Sequence, residues 1–380
     1  MLKGGGSQTD MKQIKLLHTA DLHLDSPFEA LSPGKAAARR TEQRNLLLKI
    51  AALAIKENVD AVLLAGDLLD GENSYYETSA ALNRVLGRIP APVFIAPGNH
   101  DYYRDGGPYS EDRLPENVYV FRKSRPEKVQ LKEIGLNIYG AGFTDKCCGS
   151  LLEGFSAARE EGLYNVMCVH GDIYNQKSKY NYISEEKIAS SGMDYIALGH
   201  VHTASGLMKA GNTYYSYPGC PEGRGFDETG EKTVSIITLS DSGCGLETFD
   251  ISNRRYEKLE IDITGADPES TIKMALPDET IRDIYRITLV GETSERIDVS
   301  GLEKRLEDLF YSVEIRDGTH PGTDVWTLAG NDSLRGIFLA KLKTRLEQTG
   351  DEDEKRMIEQ AARWGIAAMD NMEEPARHED

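Results

Sequence analysis

The sequence predicts an α/β protein in which buried strands carry polar side chains to one edge of a sheet. Short apolar runs of the kind found in buried strands recur between residues 14 and 198, and each is followed by a motif containing Asp, Asn or His. Amphipathic segments separate these runs, and the later chain alternates as antiparallel hairpins do. Open α/β folds place their sites at the carboxyl ends of strands, so we expect the motifs to lie together.

The predicted elements follow one another along the chain. The five strands that precede the motifs are predicted over residues 14–20, 62–65, 93–96, 166–169 and 195–198. Helices are predicted over 42–57, 77–88 and 184–191, and the first has an apolar stripe of Leu46, Leu47, Ile50, Leu53 and Ala54. Hairpins are predicted around Gly211-Asn212 and over 233–251, the latter with its turn at 241–245.

Five motifs hold five of the eight histidines of the chain. They are Asp21-Leu22-His23, Gly66-Asp67, Gly98-Asn99-His100-Asp101, His170-Gly171 and Gly199-His200-Val201-His202. Carboxylate, amide and imidazole ligands without thiolate suit Mn²⁺ or Fe²⁺, with Zn²⁺ as an alternative. One ion rarely needs so many ligands, whereas two ions about 3.5–4 Å apart would use them all and share one carboxylate. Phosphoester hydrolysis is the reaction that fits such a centre.

Taken singly, the motifs have ordinary structural explanations. A Gly-Asp pair after a strand is usually a turn, and a lone histidine such as His170 is more often a hydrogen-bonded core residue than a ligand. Gly-Asn-His-Asp and Gly-His-Val-His are not favoured turn sequences. All five in this order, each after a predicted strand, favour the metal centre.

The motif set resembles that of the calcineurin-like metallophosphoesterase superfamily. The segment His18–Phe28, together with Tyr217–Arg224 and Gly230–Lys232, is similar to the SbcD and YhaO branch of DNA repair exonucleases. The superfamily resemblance covers residues 13 to about 240. It implies a two-sheet sandwich flanked by helices, and a Mn²⁺-dependent DNA exonuclease and endonuclease that acts in DNA repair.

The resemblance also implies roles for individual residues. Asp21, His23 and His202 would bind the first metal, Asn99, His170 and His200 would bind the second, and Asp67 would bridge them. A metal-activated hydroxide would attack the scissile phosphate. His100 would assist departure of the leaving oxygen, and Asp101 would orient its imidazole. No motif position is substituted, which favours an active enzyme.

Two smaller segments follow the predicted catalytic part. Strands over 257–263, 284–290 and 313–316 with a helix over 300–310 form a small α+β unit, which resembles the cap beside the active site of SbcD-type nucleases. A packing extension without a substrate role is the alternative. Two further helices are predicted after an N-cap at Asp332 or Ser333. This helical hairpin either packs on its own domain or, as the resemblance implies, binds the coiled coil of an SMC-like ATPase.

Length and composition predict several domains in a soluble cytoplasmic protein. The expected divisions are a disordered or non-native tail over 1–12, a catalytic domain over 13–251, a capping domain over 252–330, a helical hairpin over 331–370 and a tail over 371–380. The natural start is expected at Met11. No apolar run is long enough for a membrane span. The five cysteines form no C-x-x-C pair, so reduced thiols are expected.

Charge argues against tight DNA binding by the chain alone. The net charge is −18, which repels polyanions at long range. Local basic clusters occur at Lys35, Arg39, Arg40 and Arg44, and at Lys177 and Lys179 beside Tyr174, Tyr180 and Tyr182. The second cluster either follows a nucleic-acid backbone and stacks a base, or is an ordinary solvated loop.

We therefore expect weak, salt-sensitive DNA binding that an ATPase partner or homodimerisation strengthens. Two other functions stay open. One is a phosphodiesterase or phosphatase acting on a small molecule or a phosphoprotein. The other is a mainly structural subunit that regulates an SMC-like ATPase.

Overall fold

The structure is a computed structural model that describes residues 12–29, 31–71, 75–109, 114–293, 297–321 and 325–369. The chain divides into two compact units. The first runs to Leu259 and includes Pro277–Arg286 and Leu306–Glu314, and the second holds Glu260–Leu276, Ile287–Arg305 and the chain from Ile315 onward. Residues 1–11 and 370–380, which contain nearly all of both predicted tails, lie outside the described residues. The predicted domain boundaries stay a prediction.

The first unit contains two six-stranded sheets. Its strands are β1 Ile14–Thr19, β2 Ala61–Leu64, β3 Val93–Ile95, β4 Val118–Val120, β5 Glu127–Leu131, β6 Leu136–Ala141, β7 Tyr164–His170, β8 Tyr195–Gly199, β9 Met208–Ala210, β10 Thr213–Ser216, β11 Thr233–Ser240 and β12 Gly243–Asp250. The strand orders are β12-β11-β1-β2-β3-β4 and β5-β6-β7-β8-β10-β9. Strands β1 to β4 are parallel, as are β6, β7, β8 and β10.

Helices cover the outer faces of the two sheets. Helices α1 Pro33–Lys56 and α2 Tyr76–Leu86 pack on the first sheet, and α3 Glu185–Ser190 packs on the second. The predicted apolar stripe of α1 is buried. A separate apolar cluster, which includes Phe94, Val166 and Ile237, fills the space between the sheets. The predicted α/β sandwich flanked by helices is confirmed.

The structure changes one feature of the prediction, which placed all five motif strands in one sheet. Strands β1, β2 and β3 belong to the first sheet, whereas β7 and β8 belong to the second. Side chains from two sheet edges therefore face each other at the site. Two elements also differ in extent: α1 begins at Pro33 instead of residue 42, and the last hairpin turns within Asp241-Ser242. Proline suits the first turn of a helix, which accounts for the earlier start.

A buried ionic network corrects the expectation that Arg39 belongs to a surface basic cluster. Arg39 is fully buried, and its guanidinium contacts Glu42 at 2.7 Å and Glu222 at 2.5 Å. Arg254 contacts Glu42 at 2.6 Å. These pairs join α1 to two later segments of the chain. Arg39 is thus engaged inside the protein and cannot serve as a contact for DNA.

The later chain forms smaller elements. They are β13 Tyr256–Asp262, α4 Pro268–Ala275, β14 Ile284–Val290, β15 Glu292–Thr293, α5 Val299–Leu306, β16 Ser312–Asp317, β17 His320–Pro321, α6 Leu334–Gln348 and α7 Glu352–Met369. Strands β13, β14 and β16 form a three-stranded sheet, and β15 pairs with β17. Helix α4 was not predicted from the sequence.

Helix α6 begins as the sequence predicts. Ser333 caps α6, because its Oγ accepts a hydrogen bond from the backbone N–H of Gly336 at 3.1 Å. Leu339, Ala362 and Ile366 pack together between α6 and α7. Among the described residues, no helix is both long and apolar enough to cross a membrane. All five cysteines are free thiols, as expected.

Candidate metal centre

The motif residues sit in tight turns at the ends of β1, β2, β3, β7 and β8. Four non-glycine residues among them have a positive φ, which residues other than glycine rarely adopt: Asp21 (54°), His23 (43°), Asp67 (51°) and His200 (112°). Backbone hydrogen bonds join the turns, from Asp21 N–H to the Gly66 carbonyl at 3.0 Å and from His23 N–H to the Asp67 carbonyl at 2.9 Å. Such conformations cost about 1–3 kcal/mol each and cluster at functional sites.

The side chains of His23 and His202 bring their Nε2 atoms close together. His23 donates from Nδ1 to Asp70 at 3.0 Å, and His202 lies with Nδ1 2.7 Å from Glu228 Oε1. Because a carboxylate only accepts, the proton of each neutral ring is on Nδ1. The Nε2 atoms of His23 and His202 lie 3.3 Å apart, so both can bind one cation when their rings are neutral.

A second convergence of acceptor atoms lies around His170. Its Nδ1 donates to the carbonyl oxygen of Ala65 at 2.9 Å, which leaves Nε2 unprotonated in the neutral ring. That Nε2 lies 3.0 Å from Asn99 Oδ1 and 3.4 Å from Asp67 Oδ2. Asp67 Oδ2 is also 3.8 Å from Nε2 of His23. Asp67 therefore lies between the two sets of imidazole nitrogens.

Burial favours the uncharged form of each of these groups: the histidines are then neutral, as metal ligands must be, whereas the two aspartates have to lose their protons when a cation binds. Burial, together with the charge of Asp67, raises the pKa of Asp21 well above its usual range. Burial and Asp101 raise the pKa of Asp67 to about 7. Burial lowers the pKa of His23 to about 3 and that of His170 to about 4, so both rings are neutral at pH 7. Neutral imidazoles beside close carboxylates are suited to a bound cation.

Several sets of ligand atoms are close enough to hold an ion. Within the described residues, three sets have ligand atoms within 4.8 Å of one another: Asp21, His23 and His202; His23, Asp67 and His100; and Asp21, Asp67 and His170. The sets overlap through His23, Asp21 and Asp67. Oxygen and imidazole donors without thiolate fit borderline-hard divalent ions. The residues present thus fit a centre for divalent metal.

Comparison with known proteins agrees with this arrangement. Residues 14–204, which contain all five motifs, match the profile of the calcineurin-like phosphoesterases. The chain belongs to the calcineurin-like phosphoesterase family. This match confirms the predicted superfamily resemblance. The phosphoesterases of this family bind divalent metals.

Relatives of this phosphoesterase include members of the predicted branch. The chain is 29% identical over 270 residues to the uncharacterized metallophosphoesterase YhaO of Bacillus subtilis, covering 67% of this chain and 65% of YhaO. It is 24% identical over 260 residues to the DNA double-strand break repair protein Mre11 of Saccharolobus solfataricus, covering 65% and 66%. A 33% identity over 95 residues links it to the SbcD component of the B. subtilis nuclease SbcCD, covering 23% and 22%. The chain spans less than two thirds of the length of these relatives.

The remaining predicted site residues of the phosphoesterase lie around the same centre. The His200 ring is 5.1 Å from the His170 ring, centroid to centroid. The side chain of His100 is 45% exposed, and its Nδ1 is 3.6 Å from Asp70 Oδ1. His100 thus lies at the open side of the centre, and its ring is 4.8 Å from that of His23. The fold brings together all the side chains that the five motifs supply as candidate ligands.

Asp101 is placed differently from the expectation that it orients the His100 imidazole. Its carboxylate accepts hydrogen bonds from the backbone N–H groups of Asp67 (3.1 Å), Leu68 (2.7 Å) and Gly98 (2.8 Å). Tyr109 also donates its hydroxyl proton to Asp101. These bonds hold the turn that carries Asp67. Asp70 instead has a carboxylate oxygen 3.6 Å from Nδ1 of the His100 ring.

Three polar residues at the centre were missed by the sequence analysis: Asp70, Arg224 and Glu228. Arg224 contacts Glu228 at 2.6 Å and Asp70 at 3.4 Å, and so links the two carboxylates that orient His23 and His202. Asp70 follows Asp67 in the same turn, and Arg224 ends the segment Tyr217–Arg224 that is similar to the SbcD and YhaO branch. The sequence therefore offered two signals for these residues: the closeness of Asp70 to Asp67 and the place of Arg224 in that segment.

Asp25 lies near the first motif but acts elsewhere. Its carboxylate accepts hydrogen bonds from the Tyr75 backbone N–H at 3.0 Å and from the Thr78 hydroxyl at 2.5 Å. Both donors are at the start of α2. Asp25 therefore anchors that helix.

Proposed function

We propose that this phosphoesterase is a two-metal phosphodiesterase that cleaves DNA. The observation that carries the proposal is the convergence of unprotonated acceptor atoms around Asp67. Its Oδ2 lies 3.4 Å from Nε2 of His170 and 3.8 Å from Nε2 of His23. A single carboxylate shared by two groups of ligands is the arrangement that a pair of divalent ions uses.

The proposed ligands divide into two groups around Asp67. Asp21, His23 and His202 would hold the first ion, and Asn99, His170 and His200 the second, with Asp67 shared. Two bound ions, most consistently Mn²⁺ with Fe²⁺ or Zn²⁺ as alternatives, would lower the pKa of a water and neutralise charge on the phosphoryl oxygens. Asp70 and Glu228 support the first group because each fixes the proton of an imidazole on Nδ1.

His100 is proposed to give a proton to the leaving oxygen. Its ring lies beside the ligand His23, yet its side chain is 45% exposed and can meet an incoming phosphodiester. The Asp70 carboxylate lies 3.6 Å from Nδ1 of the His100 ring, on the same side of the centre. Asp101 contributes indirectly by holding the turn of Asp67.

The names of the relatives support DNA as the substrate. Mre11 is named as a DNA double-strand break repair protein, and SbcD is a component of a nuclease. The net charge of −18 instead favours a small phosphodiester or a phosphoprotein, which needs no extended basic surface. We therefore propose weak binding of DNA by the chain alone.

A protein partner would strengthen the binding of DNA. The C-terminal helices expose large apolar side chains, namely Leu334, Ile337, Met357 and Trp364. Exposed apolar side chains on paired helices suit another helical surface. We propose that these helices bind the coiled coil of an SMC-like ATPase.

The test compares wild type with His100→Ala in Mn²⁺, using end-labelled linear DNA and a small chromogenic phosphodiester. We expect wild type to shorten the DNA and His100→Ala to retain its metals while losing about 10²–10⁴-fold in turnover. His320→Ala is the matched control, because the side chain of His320 is 47% exposed and lies outside the five motifs.

Two results would contradict parts of the proposal. Hydrolysis of the small ester with intact DNA, even after addition of an ATPase partner, would favour a small-molecule phosphodiesterase. Loss of metal from His100→Ala would make His100 a ligand, in keeping with the set that it forms with His23 and Asp67.

A further inference from the structure

The loop between β7 and α3 carries exposed tyrosines and lysines that the proposed chemistry does not use. It covers residues 171–184. Tyr174, Lys177, Lys179 and Tyr180 are exposed there, and Tyr182 is half-buried. Its chain is held by two isolated β-bridges, one between Cys148 and Tyr180 and one between Asp172 and Tyr182. The sequence alone left open whether this loop binds nucleic acid or is simply solvated.

A buried asparagine attaches the loop to the metal centre. Asn181 is fully buried and donates from Nδ2 to the carbonyl oxygen of His170 at 2.7 Å. Its Oδ1 accepts a hydrogen bond from the Leu151 N–H at 2.7 Å. The φ of Asn181 is 52°, a conformation that asparagine tolerates better than most residues. The position of Tyr180, its neighbour, is therefore set with respect to a proposed metal ligand.

Tyr180 lies between the centre and solvent. Its ring is 5.4 Å from the ring of His200, at an interplanar angle of 45°. Tyr180 is nevertheless 36% exposed. Tyr217, in contrast, is almost fully buried and donates its hydroxyl to the Gly171 carbonyl oxygen at 2.7 Å, as a structural tyrosine does.

Exposed lysines border Tyr180 on two stretches of chain. The Cys148 N–H donates to the Lys179 carbonyl oxygen at 2.9 Å, so the segment with Lys146 runs beside the segment with Lys179. Lys146, Lys177 and Lys179 are all exposed. An aromatic face with lysines around it is how proteins hold single strands without reading their sequence.

We infer that Tyr180 is a binding residue on which an unpaired base of a DNA strand stacks next to the scissile phosphate. Lys146, Lys177 and Lys179 attract the flanking phosphates. The inference rests on the proposed DNA substrate and narrows it to single-stranded DNA or a frayed end. Any base can stack on one aromatic face, so the site requires a base but does not discriminate between sequences.

The experiment uses the full chain with Mn²⁺ and three variants. Tyr180→Ala removes the ring, Tyr180→Leu keeps apolar volume without an aromatic face, and Tyr180→Phe keeps the face. Tyr76→Ala is the matched control, since Tyr76 is 88% exposed. The substrates are a single-stranded oligonucleotide, the same strand with abasic residues throughout, and the small chromogenic phosphodiester. Cleavage kinetics and fluorescence anisotropy are both measured.

We expect Tyr180→Ala and Tyr180→Leu to raise KM and Kd for the normal strand by about 5- to 100-fold. Tyr180→Phe and Tyr76→Ala should match wild type, and all variants should keep their metals. On the abasic strand the difference between Tyr180→Ala and wild type should disappear. Normal strand affinity in Tyr180→Ala and Tyr180→Leu would overturn the inference.

Cleavage kinetics and the anisotropy measurement of strand binding together separate this inference from the proposed function. If wild type binds the strand through Tyr180 but leaves it uncleaved while hydrolysing the small ester, the stacking site stands and the nuclease proposal fails. If the strand is cleaved equally by wild type and Tyr180→Ala, the nuclease proposal stands and the stacking site fails. If wild type neither binds nor cleaves the strand, even after addition of an ATPase partner, both fail.

Discussion

The orientation of two histidines depends on acidic side chains outside the five motifs. Glu228 lies 2.7 Å from His202 Nδ1, and Asp70 lies 3.0 Å from His23 Nδ1. A carboxylate in this position fixes the tautomer of a ligating imidazole and makes it more basic. Metal affinity therefore depends on residues that need not touch an ion.

We predict that Glu228→Gln weakens Mn²⁺ binding by about 10- to 100-fold, because the amide lacks the charge that makes the imidazole more basic. Isothermal titration with Mn²⁺ measures the change. Glu153→Gln is the control, since its side chain is 76% exposed and pairs with Lys187 at the surface. An unchanged affinity in Glu228→Gln would show that His202 needs no orienting partner.

The candidate ligands were predictable at the scale of single residues, whereas their supporting partners were not. Each candidate ligand belongs to a short motif directly after an apolar run, so local sequence marks it. The folded chain brings Glu228 and Arg224 into contact with His202, and no local spacing in the sequence indicates these contacts. Asp101 shows the opposite error. Its position next to His100 in the sequence suggested a contact with that imidazole, but its carboxylate accepts hydrogen bonds from backbone N–H groups instead.

Among the elements, the close approach of the two sheets determines the site. Gly199, the last residue of β8, lies against the turn after β2 of the other sheet. A Cβ added to Gly199 would be 1.9 Å from the carbonyl oxygen of Ala65 and 2.8 Å from Cβ of Ala20. Backbone atoms cannot move as freely as a long side chain can, so the strands themselves would have to separate.

We predict that Gly199→Ala lowers the free energy of unfolding by about 1–3 kcal/mol and also weakens Mn²⁺ binding, because His200 and His202 directly follow the displaced residue. Urea unfolding with and without Mn²⁺ measures both effects. Gly149→Ala is the control, since a Cβ there meets nothing within 4 Å. A Gly199→Ala protein with the unfolding midpoint of wild type would contradict the close packing of the sheets.

The strands that precede motifs were predictable, but the assignment of strands to sheets was not. Fully buried strands such as β7 give continuous apolar runs that are visible in sequence. Strand β5 has the mixed burial of a sheet edge and gives no such run, so it was missed. Which sheet a buried strand joins depends on pairing between distant segments, and the motif strands split between two sheets for that reason.

For the whole molecule, the net charge and the local charges act over different distances. The chain has 62 acidic and 44 basic residues, which gives −18. At physiological ionic strength the Debye length is about 8 Å, so distant acidic residues are largely screened at the centre. The proposed divalent ions and the lysines near Tyr180 would act within that range. The molecule as a whole can therefore be acidic while its site accepts an anion.

Removal of divalent ions should destabilise the entire first unit, since the candidate ligands come from strands of both its sheets. Without ions, the buried side chains of Asp21 and Asp67 lose the cations that would balance their negative charge. A ligand at a hundred times its Kd stabilises the folded state by about 2.7 kcal/mol, so we expect EDTA to lower the Tm by about 5–10 °C.

Asp67→Ala should abolish that shift, because the shared ligand is lost, whereas Asp278→Ala, at an exposed position, should preserve it. Thermal unfolding of the three proteins with Mn²⁺ and with EDTA measures the shift. An identical Tm for wild type in both conditions would mean that the convergent acceptors are held together by the fold alone.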